Sequence, residues 1–83
     1  MTVQIVRDEK KTIEGQEYRY LELATEKVSA FVTFMPWGVQ VCCKNSSHKV
    51  WRGAGRLFNS IQDAIEGYKS ADMRSILTTA ANL

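Results

Sequence analysis

Through the first half of the chain, apolar residues recur at every second position. Val3 and Ile5 share one parity, Leu21 and Leu23 the next, then Val28, Ala30, Val32 and Phe34, then Val39, Val41 and Cys43. In an extended strand successive side chains point to opposite faces, so each set marks the buried face of a strand. β-branched and aromatic residues dominate these stretches, as a half-buried pleated surface prefers. Turn-forming residues fall between them, at Glu14-Gly15, Thr25-Glu26-Lys27, Pro36-Trp37-Gly38 and Asn45-Ser46-Ser47. A fifth short strand is expected from His48 to Arg52, ended by Gly53-Ala54-Gly55. Connections this short join antiparallel neighbours.

The period then becomes helical. Ile61, Ala64, Ile65 and Tyr68 form one stripe and Met73, Ile76, Leu77 and Ala80 a second. The step from Tyr68 to Met73 breaks register, with Gly67 and Ser70 at the slip, which predicts two short helices or one kinked helix. Ser60 with Asp63, and Ser70 with Asp72, read as N-caps with an acid in the first turn. The predicted fold is α+β: an antiparallel meander of four to five strands with two short C-terminal helices packed on one face. Residues 1–83 are expected to form a single domain, with the sheet in 1–55 and the helices in 56–83. Its core should hold Val3, Ile5, Leu21, Leu23, Val32, Phe34, Val41, Ile61, Ile65, Ile76 and Leu77.

The other parity of the strands gathers Tyr18, Tyr20, Phe31, Met35, Gln40, Cys42 and Lys44, joined by Trp51 if the fifth strand keeps register. That is too aromatic for a plainly wetted surface, and a large exposed apolar patch usually has a partner. A second copy is one expected partner, with Tyr18, Tyr20, Phe31, Met35 and Cys42 at the interface of a homodimer.

Composition narrows the class. Eighty-three residues suffice for one modest core, and 45% hydrophobic with 24% charged residues is ordinary globular composition. No stretch approaches the ~20 apolar residues of a membrane-spanning helix, so no membrane association and a cytoplasmic location are expected. The net charge of +2 hides an uneven distribution: all nine acids lie in residues 8–26 and 63–72. Between Lys27 and Gln62 there is none, while Lys27, Lys44, Lys49, Arg52 and Arg56 are all cationic. Such a span suits an anionic ligand or an acidic protein surface.

The candidate chemistry is sparse. Cys42 and Cys43 are neighbours in a strand and face opposite sides, so they cannot jointly grip one ion, and with a single histidine a closed tetrahedral zinc site would need carboxylates from distant segments. A Cys42–His48 nucleophilic pair lacks an orienting third group or an oxyanion site. Gly53-Ala54-Gly55-Arg56 lacks the remaining elements of a phosphate-binding loop. No cofactor, metal or catalytic residue is therefore expected, and the chain reads as a non-enzymatic binding module. Lys44, Lys49, Arg52 and Arg56 crowd one hairpin and its exit, with Trp37 and Trp51 able to stack on bases beside them, which makes single-stranded nucleic acid the expected ligand. A protein-interaction or regulatory module is the alternative.

The tail "FNSIQDAIEGYKSADMRSIL" resembles the C-terminal helices of short uncharacterised bacterial proteins carried on plasmids, phages and integron cassettes, a resemblance that implies no activity. The layout of consecutive antiparallel strands followed by helix is similar to Whirly-type and transcriptional-coactivator single-stranded-DNA-binding domains. It is a likeness of layout and carries no site residue across.

Overall fold

The computed structural model describes residues 2–47 and 55–83. Five strands, β1 (Gln4–Ile13), β2 (Gln16–Ala24), β3 (Val28–Met35), β4 (Gly38–Asn45) and β5 (Arg56–Phe58), precede two helices, α1 (Ile61–Gly67) and α2 (Ala71–Ala81). The strands form one antiparallel sheet in the order β1-β2-β3-β4-β5, the α+β meander that the alternation predicts.

Local chemistry sets each joint. Ile13 pairs with Gln16, leaving the two-residue turn Glu14-Gly15 with positive φ at both positions (52° and 79°). That is the backbone of the tight hairpin turn whose twist matches its strands, and glycine supplies the second position without strain. Pro36-Trp37 also links β3 to β4 in two residues, but without positive φ at either. The Thr25 hydroxyl accepts from the amides of Lys27 and Val28, and the Ser46 hydroxyl donates to the Thr25 carbonyl, tying the β2–β3 turn to the end of β4. Ser60 and Ser70 cap the two helices by accepting from the amides of Asp63 and Met73.

The core lies between the helices and the middle of the sheet. Leu21, Val32 and Val41 stand opposite one another on β2, β3 and β4, with Leu23 and Ala30 one row along. All five are buried against Ala64, Met73, Ile76, Leu77 and Ala80. Phe34, Ile61 and Ile65, expected inside, pack at its margin, as does Val3.

Ile5 departs from the expectation, with 48% of its surface exposed. Among the described elements, the helices touch β2, β3, β4 and β5, whereas β1 meets β2 alone, so no described helix lies over Ile5. A register irregularity between Ile5 and Arg7 also breaks the alternation from which its burial was read. The sheet also runs past residue 55: Arg56–Phe58 pairs with Val39–Val41 instead of belonging to the helical part. The strand expected at His48–Arg52 lies outside the described residues.

β5 sits close because residue 38 is glycine. A Cβ at Gly38 would collide with the Phe58 carbonyl oxygen. Arg56 then fastens the strand to α1: its guanidinium lies 4.9 Å from the Phe58 ring and 4.8 Å from the Tyr68 ring, and donates to the Gly67 carbonyl at 3.0 Å.

Candidate nucleic-acid interface

The face of the sheet turned away from the helices is built in cross-strand rows. Lys11 and Tyr18 form the first, Glu9, Tyr20, Thr33, Gln40 and Leu57 the second, and Arg7, Glu22, Phe31 and Cys42 the third. Ser29 and Lys44 follow at the far end. The two-residue Glu14-Gly15 turn dictates this arrangement on the β1–β2 side: once Ile13 faces Gln16, Lys11 must face Tyr18 and Glu9 must face Tyr20.

At the turn end the aromatic groups converge. Trp37, 58% exposed, stands edge-on to Tyr18 with ring centroids 5.9 Å apart and planes at 80°, the perpendicular arrangement that ring quadrupoles favour. The Lys11 ammonium lies 5.6 Å from the Tyr20 ring centre, within cation–π range. Tyr18, Tyr20 and Trp37 thus offer ring surface next to a cation.

The electrostatics differ from those the linear sequence suggests. The acid-free span supplies β3 and β4, but the register brings Glu9 and Glu22 of β1 and β2 onto the same face. Glu9 is met by Arg7 at 2.9 Å. The Arg7 guanidinium, mainly by hydrogen bonding, holds the Glu9 carboxyl below its usual range. Glu22 remains beside Phe31. Segregation along the chain is therefore partly undone in space.

Of the residues singled out from sequence, Tyr18, Tyr20, Phe31, Met35, Cys42 and Lys44 share the helix-free face. Trp37, in the turn before β4, and Lys44, near the far end of that strand, are roughly 23 Å apart at ~3.3 Å per residue. Arg56 pairs with Val41 on the helix-bearing face, its guanidinium already engaged by two rings and a carbonyl, so it does not stand beside Lys44. Lys49, Trp51 and Arg52 lie outside the described residues. Cys42 and Cys43 are free thiols on opposite faces, and burial, reinforced by Cys43, pushes the Cys42 thiol up. Among the described residues, no cluster of three or more His, Cys, Asp or Glu side chains could hold a metal, and no helix is long and apolar enough to cross a membrane.

A cleft of about 570 Å³ opens at the same end of the sheet. β2 begins at Gln16, but its pairing with β3 begins only at Arg19 opposite Phe34, so the tip of the β1–β2 hairpin overhangs the rest of the sheet. The space beside that overhang, closed by Met35 and Pro36, is the cleft. Lys10 and Lys11 line it too, a pair that the sequence reading passed over because they lie outside the acid-free span. Nearby, Arg19 is fixed by a bidentate bond to Asp8 (2.9 and 2.7 Å) and donates to the Leu83 carbonyl at 3.2 Å.

Comparison with known proteins finds no family model, no curated protein and no solved structure that matches this chain.

Proposed function

We propose that the protein is a non-enzymatic binding module that takes single-stranded nucleic acid on the helix-free face, at the corner formed by Tyr18, Tyr20, Trp37 and Lys11. The observation that carries this reading is the half-exposed Trp37 ring held edge-on by Tyr18, next to a lysine over Tyr20. An indole kept in contact with solvent loses burial energy, and a stacked base would restore it. Every base has a π-face, so such a platform tolerates sequence. Glu9 and Glu22 on the same face favour an electrostatically modest binder whose affinity comes largely from stacking. With Lys11 as the phosphate contact on this face, the log–log dependence of affinity on salt should have a slope near −0.7, the value of about −0.7 per contact on a single strand. Fluorescence anisotropy of labelled single-stranded DNA and RNA, at low and moderate salt, tests the reading. Absence of binding tighter than about 100 μM at low salt, where non-specific binders still register, defeats it.

A homodimer closed through the same face is the second reading. It is favoured by Tyr18, Tyr20, Met35 and Cys42, half-buried side chains of one sheet face on which no described helix packs. Light scattering at tens of micromolar separates the two, and Phe31→Glu should split such a dimer by burying a charge.

A further inference from the structure

We infer that the open edge of β1 docks an extended acidic segment of another protein, which joins the sheet as a strand with two consecutive carboxylates facing Lys10 and Lys11. Among the described residues β1 lies at the margin of the sheet and pairs with β2 alone, over a length of ten residues. A two-residue turn closes on a hydrogen-bonded pair, so Ile13, Lys11 and Glu9 direct their backbone groups to β2. Asp8, Lys10 and Thr12 turn theirs outward, and an added strand can pair with these amides and carbonyls.

Side-chain charge selects the strand that fits. Arg7 to Lys11 are all charged, and both acids among them are already matched. Arg7 meets Glu9 at 2.9 Å, and Arg19 grips Asp8 at 2.9 and 2.7 Å. Among the described residues neither lysine makes an ion pair, and both are exposed. Lys10 stands opposite Arg19 on the helix-bearing face, while the Lys11 ammonium lies 5.6 Å from the Tyr20 ring centre on the other. Successive residues of an added strand also alternate between faces, so two adjacent acids meet both lysines, one on each side. A second copy fits poorly. Two-fold antiparallel pairing of β1 with itself keeps the faces aligned and sets the residue at the axis opposite its own image. Centred anywhere from Arg7 to Lys11, that residue is charged, and like charges directly opposite destabilise. The bulge between Ile5 and Arg7 interrupts any pairing centred nearer the N-terminus.

The edge site stands independently of nucleic-acid binding on the face. Fluorescence anisotropy with three labelled peptides tests it: TVTEETVT, its isomer TVETETVT with the acids two apart, and TVTKKTVT. In the isomer both acids share one face and only one can meet a lysine. It should therefore bind about 1.5- to 5-fold more weakly, the worth of one cross-strand charge pair. Lys10→Glu/Lys11→Glu should bind TVTEETVT at least about fourfold more weakly than wild type and TVTKKTVT more tightly by a similar factor. That gain shows the variant folded. At about ten times the dissociation constant of TVTEETVT, hydrogen exchange at the outward amides of Asp8, Lys10 and Thr12 should slow about tenfold, with little change at Glu9 and Lys11. No binding of TVTEETVT up to about 1 mM, or equal affinity for the two acidic isomers, overturns the inference. So does unslowed exchange at the three outward amides, or a reversed variant that gains no affinity for TVTKKTVT. In each of those cases the lysines only guard the edge against aggregation.

Discussion

Ile5 and Leu23 face each other across β1 and β2, yet one is 48% exposed and the other fully buried. Replacing each by alanine removes comparable apolar volume from neighbouring positions and measures where the helices sit. For Leu23→Ala, three buried carbons at ~0.8 kcal/mol each give about 2.4 kcal/mol of lost transfer energy. The residual cavity raises this towards the ~3–5 kcal/mol of fully buried leucines. For Ile5→Ala, water fills the space and roughly half the area is lost, so the cost should be about 1 kcal/mol, part of it strand preference. In a domain of this size 1 kcal/mol shifts the melting temperature by ~4–8 °C. Leu23→Ala should therefore melt at least ~12 °C below wild type and Ile5→Ala within ~8 °C of it. Thermal and urea unfolding followed by circular dichroism give both values. Equal losses would mean that the helices cover β1 as well, and that the placement of the core is wrong.

Other expectations follow from single contacts. Hydrogen bonding from Arg19 holds the Asp8 carboxyl below its usual range, so its contribution is present above the unfolded value and disappears as pH falls through the folded one. Asp8→Asn should thus melt below wild type at pH 7, with the gap closing in strong acid; a gap independent of pH would exclude the ion pair as its source. Burial keeps the Cys42 thiol protonated at neutral pH, so iodoacetamide should alkylate it more slowly than free cysteine, and faster reaction would refute the environment described. Gly38→Ala drives a Cβ into the Phe58 carbonyl and should cost more than about 2 kcal/mol in urea unfolding, whereas a neutral result would place β5 farther from β4.

What the sequence made legible is what depends on near neighbours. Alternation identified β2, β3 and β4, and the slip between Tyr68 and Met73 separated α1 from α2, with both serine caps in place. Ile5 could not be judged this way, because its exposure depends on how far the helices reach across the sheet. β5 was hidden because three residues carry no detectable period, and the glycines before it read as a loop. The charge pattern misled for a similar reason: Glu9 and Glu22 reach the aromatic face only through strand register. Here a signal was available. The two-residue Glu14-Gly15 turn sets Lys11 against Tyr18, and counting back from it would have found the corner. The cleft needs more, since it arises from the unequal pairing of β2 with its two neighbours.

Binding of a labelled single-stranded 12-mer by Trp37→Ala, read by fluorescence anisotropy at low salt beside wild type, tests the stacking platform most directly. Removing one stacked base–aromatic contact costs about 1–3 kcal/mol, so the variant should bind about 5- to 150-fold more weakly. Its salt slope should match that of wild type, because no cation is lost. Wild-type affinity in Trp37→Ala would contradict a platform built on that ring.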